Sequence, residues 1–351
     1  MSFGELQLRI RQSTPPQSSS VLFENVDRSL IILDIPRTIE EAQVFASETP
    51  TRRIYSSQPI SNPFETPEPR DGDQYAGSNK SPAMQIADLM TAATVASSLE
   101  LLDSCGYNGP YLLPRCVLDE ADDPLVPAPA SLATTATFIP PAAEYLVGPL
   151  DQLSQTLKSV QTPNFDLVIL DPPWPNRSAR RKTRNHDYRT VATLSDMSDL
   201  LSNIPLSSHL SANGLVAFWV TNNSAILDFM TNSSTGFFPR HGLEPVAEWT
   251  WVKITAKGEP IFEIDSVWRK PWEKLLIAKR IGANTPAALK HKTILAVPDL
   301  HSRKPNLRRL FAEVLPPDFK GLEVFARNLT AGWWSCGDES LLFQQQQCWV
   351  G

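Results

Sequence analysis

Four adjacent residues, Asp171, Pro172, Pro173 and Trp174, place an acid, two rigid residues and a large aromatic ring directly after an apolar run. The run, residues 167–170, is typical of a buried strand. Proline ends a strand because it has no N–H to donate and its φ angle is fixed. An acid after a strand, a Pro-Pro turn and a core tryptophan are each common alone. Their combination at one strand end favours a chemical role.

This combination suits the methylation of a weakly nucleophilic amine, such as the exocyclic amine of adenine. A carboxylate accepts one amine hydrogen, and a backbone carbonyl that the prolines hold in place accepts the other. An aromatic ring stacks on the base, which is worth roughly 1–3 kcal/mol in comparable nucleic-acid sites. The acid need not be a strong base, because the amine loses its proton easily once methylated. Most of the rate would then come from positioning.

The elements that must position these residues are predicted by apolar runs of strand length alternating with helical stretches. This alternation indicates an α/β domain around a mostly parallel sheet, in which ligands bind beyond the carboxyl ends of the strands. The predicted strands are 165–170, 215–220, 246–254, 274–278, 293–297 and 322–326, and predicted helices include 224–231 and 306–315.

The first half of the chain is less regular. Residues 21–36 predict two short strands around a polar turn, and residues 83–106 predict one or two helices ending at Gly106. We interpret 1–48 as an N-terminal strand pair and helix, and 49–82 as a linker or disordered loop. We interpret 83–136 as a helical and Pro-rich connecting region, and 137–351 as the catalytic domain.

Composition excludes several classes of protein. The four cysteines form no CxxC pair, which argues against a zinc site or a disulfide framework. No apolar run reaches transmembrane length, and the first residues lack a signal-peptide core. We therefore expect a soluble intracellular protein without a membrane partner. Because the net charge is -6, any affinity for nucleic acid must come from a local basic patch.

Beyond these local patterns, the sequence resembles a known family. "LDPPW" resembles the signature of the adenine-N6 methyltransferases, the family of the mRNA N6-adenosine methyltransferase. "VAFWVTNN", "AEWTWVKIT", "DSVWRKPWEKLLI", "LHSRKP" and "LEVFARNLTAGW" follow in family order and are similar to the methyltransferase-like protein 4 branch. The resemblance implies a Rossmann-like S-adenosylmethionine-dependent methyltransferase fold with permuted motif order, plus an irregular N-terminal region. The chain contains no GxGxxG loop, as that permuted order implies.

The resemblance also implies a cofactor site for S-adenosylmethionine. Lys304 of "HSRKP" would lie near the methionine carboxylate, and Glu323 of "LEVFARN" would bind the ribose hydroxyls. The remaining implied cofactor residues are Asp171, Arg327, Asn328, Val147, Gly148, Asp338 and Glu339. Gly148 replaces an acid of the family, and Asp338 replaces an asparagine, so that the amide donor is missing.

The substrate face follows Trp174. "RSARRKTR" at 177–184 puts five basic residues into eight, and such a run is either a solvated face or a set of phosphate contacts beside the base. Arg177 replaces a lysine of the family, and Trp272 replaces a tyrosine. The candidate substrate-binding residues are Asn176, Arg177, Ser178, Arg180, Arg181, Arg184, Tyr188, Lys270 and Trp272.

The expected activity is methyl transfer to the N6 amine of adenine in nucleic acid, with Asp171, Pro172, Pro173 and Trp174 as the catalytic residues. By resemblance the substrate is RNA, in particular a 2′-O-methyladenosine of small nuclear RNA, and the location is the nucleus or also the cytoplasm. DNA adenine is the close alternative. A second alternative is a catalytically silent RNA-binding subunit, which the intact motif disfavours. A third is methylation of a protein glutamine, which the leading Asp of the motif disfavours. No protein partner is required, and the oligomeric state stays open.

Overall fold

The computed structural model describes residues 19–65, 82–117, 136–150, 155–156, 163–175, 191–266, 269–300 and 303–350 of the 351-residue chain. Within this part the strands are β1 Val21–Glu24, β2 Leu30–Leu33, β3 Arg53–Ser56, β4 Cys116–Val117, β5 Glu144–Val147, β6 Phe165–Leu170, β7 Leu210–Val220, β8 Leu243–Lys253, β9 Trp272–Arg280, β10 Lys292–Ala296, β11 Gly321–Val324, β12 Trp334–Gly337 and β13 Trp349–Val350.

The α-helices in the same part are α1 Ile35–Ala42, α2 Pro82–Ser104, α3 Leu194–Ser202, α4 Leu206–His209, α5 Ser224–Thr231, α6 Phe237–Arg240 and α7 Arg308–Phe311, and Leu342–Gln344 and Gln346–Cys348 are 3₁₀-helices. None of the helices in the described ranges is long and apolar enough to cross a membrane.

A large mixed sheet organises the molecule, with strand order β1-β2-β10-β8-β9-β7-β6-β11-β12-β5. The strands from β7 to β5 are mutually parallel, and so are β8, β10 and β2. β9 is antiparallel to both of its neighbours, and β1 is antiparallel to β2. A small second sheet has the order β13-β3-β4. The prediction of an α/β fold around a mostly parallel sheet is confirmed.

Both faces of the large sheet are covered, which explains why its strands are continuous apolar runs. In β6, Leu167 and Ile169 enter one core cluster, whereas Phe165, Val168 and Leu170 enter the other. β7 alternates in the same way. The pattern fixes the register of both strands, because a shift by one residue would exchange the two faces.

The predicted strands and helices are confirmed in position, with changes at several ends. The helix predicted at 224–231 has those bounds, and the predicted helical region 83–106 is the single helix α2. The helix predicted at 306–315 is wrong in length, since only Arg308–Phe311 is helical. The Asn306 side chain accepts the N–H of Arg308 at 3.0 Å, so the segment begins as a turn.

The predicted linker at 49–82 is also wrong in part, because it contains β3. Ile54 of β3 is fully buried, and β3 pairs with the C-terminal strand β13 and with β4. β2 likewise pairs with β10, so the N-terminal strand pair belongs to the large sheet. The Pro-rich stretch 118–135 lies outside the described residues.

A buried charge cluster ties β3 to the loop that follows β10. The Asp299 carboxylate lies 2.5 Å from Arg303 Nη1 and 3.9 Å from Arg115 Nη1, and its side chain is fully buried. It also accepts the N–H of Ser57 at 2.8 Å. Arg303 donates to the carbonyl of Tyr55 at 2.8 Å. The cluster therefore fixes the loop immediately before Lys304.

Replacing Asp299 with Ala should destabilise the protein by about 3–5 kcal/mol, because two buried guanidinium groups would lose their charge partner. Arg309→Ala is the control, since Arg309 pairs with Glu41 at the surface, and it should cost no more than about 1 kcal/mol. Urea unfolding of both variants measures the difference. Equal losses would show that the cluster contributes no more than a surface pair.

Candidate active site

The functional side chains named from the sequence converge on one edge of the large sheet, the one formed by the carboxyl ends of its parallel strands. β6, β7, β10, β11 and β12 all end at this edge, and the reversed strand β9 begins there. Asp171 follows β6 and Lys304 lies in the loop after β10, while Arg327 and Asn328 follow β11, and Asp338 and Glu339 follow β12. The parallel topology thus brings together residues that lie far apart in the sequence.

A lysine between two acids forms the centre of the site. Lys304 Nζ lies 3.2 Å from Asp171 Oδ2 and 3.1 Å from Glu273 Oε2. Glu273, at the start of β9, also pairs with Lys253 Nζ at 2.5 Å. Lys304 Nζ lies 5.8 Å from the centroid of the Trp219 ring. Acids and bases thus alternate in the order Lys253, Glu273, Lys304 and Asp171, and the four residues come from the ends of four strands.

Charge pairing controls the ionisation of this group. Burial by itself would raise the pKa of Glu273, but Lys304 and Lys253 lower it to about 2. Burial by itself would lower the pKa of Lys304, yet Asp171 and Glu273 raise it above its usual value. Burial raises the pKa of Asp171, with Lys304 acting in the opposite direction. Lys304 is therefore a stable cation held by two carboxyl groups.

Glu323 is different, because it is an acid without a partner. Within the described residues its carboxylate has no hydrogen bond or ion pair. Burial, and then the neighbouring Asp171, raise the pKa of Glu323 to about 8. A carboxyl group left unpaired in such a place is suited to hydrogen-bonding a ligand.

Two neighbouring clefts open at this edge. Asp171, Lys304, Glu323, Arg327 and Asn328 are among the residues that line the first. The second is lined by Pro173, Ala326, Gly337, Asp338, Glu339 and residues of α3, among others. The clefts share Phe325, and an ion pair of 3.0 Å joins Arg327 of the first to Glu339 of the second.

Phe325 has an unusual backbone. Its φ angle is +62°, in the left-handed region that side chains other than glycine rarely adopt. The close approach of β12 helps to fix it, since a Cβ added at Gly337 would lie 3.1 Å from Phe325 Cα. Strain of this kind is common where a binding site dictates the path of the chain.

The motif after β6 is rigid. The N–H of Trp174 donates to the Pro172 carbonyl at 2.8 Å, and the indole N–H donates to the Trp219 carbonyl of β7 at 2.7 Å. The ring packs edge-on against Phe229, with 6.3 Å between centroids. Trp174 is thus fixed to the neighbouring strand. The Pro172 carbonyl retains a second lone pair for another donor.

The structure corrects the expectation for Trp272. Its side chain is 2% exposed and packs in a core cluster with Val252 and Ile254, so it does not line the site. An indole this large gains more from burial than from framing an open pocket. The Lys270 ammonium lies over this ring at 5.2 Å and donates to the Ile264 carbonyl. Glu273, the residue after Trp272, enters the site instead.

Of the other predicted residues, Val147 ends β5, two strands from β11, and Gly148 follows it. Gly148 adopts a φ of +141° and donates to the Gly337 carbonyl at 3.3 Å, beside the second cleft.

The predicted substrate-binding residues Asn176, Arg177, Ser178, Arg180, Arg181, Arg184 and Tyr188 lie outside the described residues. The resemblance placed the loop 269–273 near the pocket, but sequence reasoning gave no role to Glu273 and did not name Lys253 or Phe325. An acid at the start of a reversed strand was the available signal for Glu273.

The arrangement suits a small ligand that carries both a carboxylate and hydroxyl groups. An ammonium has three N–H donors, and Lys304 has two carboxylate partners, so one donor is left for a ligand. Glu323 can accept or donate a hydrogen bond near its pKa. No group of three or more potential ligands for a metal ion occurs among the described residues.

The unpaired Glu323 gives a test by pH. Because its folded pKa of about 8 lies above the ordinary 4.5, the unfolded state releases this proton first, and wild-type stability should fall from about pH 4.5 to pH 8. Glu323→Gln removes this loss. The gain in melting temperature should therefore be near zero at about pH 4 and largest at about pH 9. A difference between the two proteins that does not grow with pH would contradict the assignment.

Comparison with known proteins places this site in a family. Residues 165–339 match the MT-A70 family model, a span that includes Asp171, Lys304, Glu323 and Glu339. A protein of Cryphonectria parasitica named N6-methyladenosine RNA methyltransferase MTA1 is 45% identical over 342 residues, which cover 95% of each chain. The MTA1 protein of Pyricularia oryzae is 42% identical, covering 95% of this chain and 97% of its own. The human N(6)-adenine-specific methyltransferase METTL4 is 36% identical over 219 residues, 59% of this chain and 43% of its own. Because the family model matches the part of the chain that contains the site, and two relatives match 95% of the chain, the protein belongs to the MT-A70 family.

Proposed function

We propose that the protein transfers the methyl group of S-adenosylmethionine to the N6 amine of adenine in nucleic acid, with RNA as the substrate. The observation that carries this proposal is Asp171, fixed between a rigid Pro-Pro turn and the Lys304 ammonium, 3.2 Å away at the mouth of a cleft. A carboxylate held there is placed to accept a hydrogen from an amine. Two relatives that match 95% of this chain are named as RNA methyltransferases.

The residues present fit S-adenosylmethionine. The remaining N–H of Lys304 would bind the carboxylate of the methionine part, and the unpaired Glu323 would bind a polar group of the same ligand. Asp338 and Glu339 line the second cleft, where the nucleoside part would lie. When bound, the cofactor supplies an electrophilic methyl group. Asp338 cannot donate the hydrogen bond of an amide, so we expect it to accept from the ligand instead.

Asp171 and the Pro172 carbonyl would each accept one hydrogen of the target amine. This orients the nitrogen lone pair towards the methyl group, and orientation is a large part of the barrier in transfer reactions. Transfer of the methyl group would release S-adenosylhomocysteine as the leaving group and leave the nitrogen positively charged, and one proton would then pass to Asp171 or to water. Glu273 holds Lys304 from the other side, so the lysine remains in place when Asp171 binds the substrate.

The finer features of the substrate are also proposals. Resemblance to the methyltransferase-like protein 4 branch supports a 2′-O-methyladenosine of small nuclear RNA as the target, and hence the nucleus as the location. DNA adenine is the second candidate. The basic run 177–184 would supply the phosphate contacts that an acidic protein otherwise lacks. No protein partner is needed in this scheme.

The direct test uses labelled S-adenosylmethionine with RNA and DNA oligonucleotides of the same sequence, the RNA with and without a 2′-O-methyl on the target adenosine. Digestion and mass spectrometry identify the methylated nucleoside. We expect N6-methylation of RNA, most rapid on the 2′-O-methylated strand. Methylation of DNA alone would replace RNA by DNA as the substrate. Methylation of neither, by protein that binds the cofactor, would contradict the proposed activity.

Asp171→Asn should lower kcat by about 10²–10⁴-fold, because the variant keeps the shape of the side chain but loses its charge. Cofactor affinity should stay within a few fold, since Glu273 still holds Lys304. In the wild type the raised pKa of Asp171 should move the acidic limb of the pH–kcat profile above the ordinary carboxyl range, with activity lost as pH falls. Turnover by Asp171→Asn near the wild-type rate would exclude Asp171 as the acceptor.

Replacing Arg180, Arg181 and Arg184 with Ala should weaken RNA binding and flatten the slope of log affinity against log salt by roughly 2. The control removes three cations at the opposite edge of the sheet, Arg28, Lys290 and Lys320, and should leave the slope unchanged. Fluorescence anisotropy over a salt series measures both. Equal slopes for the two triple variants would show that the run is only a solvated face.

A further inference from the structure

The N-terminal helix α1 lies directly behind two loops of the candidate cofactor site. We call residues 303–307, which contain Lys304, the lysine loop, and residues 325–331, which contain Asn328, the asparagine loop. Thr38 of α1 accepts the N–H of Asn306 in the lysine loop at 3.0 Å. The carbonyl of Ala42 accepts the N–H of Ala331 in the asparagine loop at 2.8 Å.

A closed ring of hydrogen bonds holds the asparagine loop at Leu329, next to Asn328. Gln43, the residue after α1, donates to the Leu329 carbonyl at 3.0 Å. The Leu329 N–H donates to Gln344 Oε1 at 3.1 Å, and Gln344 donates to Gln43 Oε1 at 2.9 Å. Both backbone polar groups of Leu329 are therefore bound by two side-chain amides, which are bound to each other.

The two loops are also tied together. Asn306 Nδ2 of the lysine loop donates to Thr330 Oγ1 of the asparagine loop at 2.7 Å. Thr38, Gln43, Gln344 and Thr330 are all buried, so water cannot readily replace these bonds. Helix α1, the lysine loop and the asparagine loop thus form one hydrogen-bonded unit.

Apolar residues on the same side of α1 have a purely structural role. Ile35 and Ile39 pack in the main core cluster and account for the attachment of the helix. Buried polar groups that hold a loop at fixed positions add geometric definition that apolar packing does not give. α1 also lies outside residues 165–339, the span of the family model, so that span alone does not contain the whole support of the site.

We propose that Thr38 and Gln43 are positioning residues for the cofactor: they fix the lysine loop and the asparagine loop, and so make α1 part of the cofactor site. This inference rests on the proposed function, because it takes these loops to bind S-adenosylmethionine. Neither residue touches the ligand in this scheme. Their effect should therefore appear in cofactor affinity and not in the chemical step.

The test compares four single variants of the full chain with wild type: Thr38→Val, Thr38→Ser, Ile39→Val and Gln43→Met. Thr38→Val removes the acceptor of the Asn306 N–H at nearly constant shape. Thr38→Ser keeps that hydroxyl, and Ile39→Val weakens the apolar packing of the same helix. Calorimetry gives the affinity for S-adenosylhomocysteine, which needs no nucleic acid. Amide hydrogen exchange at Asn306 and Leu329 reports whether the loops are released.

We expect Thr38→Val to weaken S-adenosylhomocysteine binding about tenfold, as loss of one buried hydrogen bond implies, and to speed exchange at Asn306. Thr38→Ser should stay within about twofold of wild type. Ile39→Val should lower the melting temperature while leaving affinity unchanged. In turnover, Thr38→Val should raise KM for the cofactor and spare kcat. Gln43→Met removes the donor to the Leu329 carbonyl and should behave as Thr38→Val does. It replaces Thr38→Val in the test if Thr38→Val does not fold.

Three outcomes would overturn the inference. Unchanged affinity in Thr38→Val and Gln43→Met would show that the loops hold their positions without α1. An equal loss of affinity in Ile39→Val would show that α1 acts only through stability. A fall in kcat with KM unchanged would place these residues in the chemical step. If wild type itself does not bind S-adenosylhomocysteine, the proposed cofactor site is wrong. The hydrogen bonds between α1 and the two loops do not depend on that result.

Discussion

The ammonium group of Lys304, held between the carboxylates of Asp171 and Glu273, is the interaction on which the site depends. Without it the acids of β6 and β9, whose strands are separated only by β7, would be left without a cation between them, and Glu323 would add a third acid. With it, Asp171 has a fixed position and Glu273 remains ionised. One N–H donor of the Lys304 ammonium stays available to a ligand, because the group has three donors and only two acid partners.

Several elements serve to place this one lysine. β10 brings the chain to the correct edge of the sheet, the buried Asp299–Arg303 pair fixes the residue before Lys304, and α1 holds Asn306 shortly after it. Glu273 comes from β9, a strand that runs in the opposite direction to its neighbours, so its first residues lie at the same end of the sheet as the last residues of β6, one strand away across β7. The reversed strand therefore completes the site by supplying the second acid.

The sequence predicted those parts of the fold that local patterns determine. Apolar runs predicted β6 to β11 because each strand is covered on both faces, and the acid and prolines after β6 marked a strand end at the site. Lys304, Glu323, Arg327 and Asn328 could be placed together only through resemblance to a family, because no local pattern indicates which strands become neighbours.

The remaining features depend on tertiary contacts. β3 has only four residues within a polar stretch, and pairing with β13, nearly 300 residues later, makes it a strand. Trp272 was expected at the pocket, yet the apolar surface of α2 and β8 buries its ring and leaves the following Glu273 to enter the site. The ring of hydrogen bonds around Leu329 joins residues 43, 329 and 344, whose proximity no spacing in the sequence reveals.

The most direct test of the central role of Lys304 is a double-mutant cycle on unfolding free energy with Lys304→Met and Glu273→Gln. If Lys304 bridges the acids, removing it alone leaves Asp171 and Glu273 in mutual repulsion, and removing the charge of Glu273 as well should recover part of that loss. We predict a coupling free energy of at least about 1 kcal/mol, within the range for residues that share a charge network. Additive effects of the two substitutions, within about 0.3 kcal/mol, would show that Lys304 does not join the acids and would contradict this account of the site.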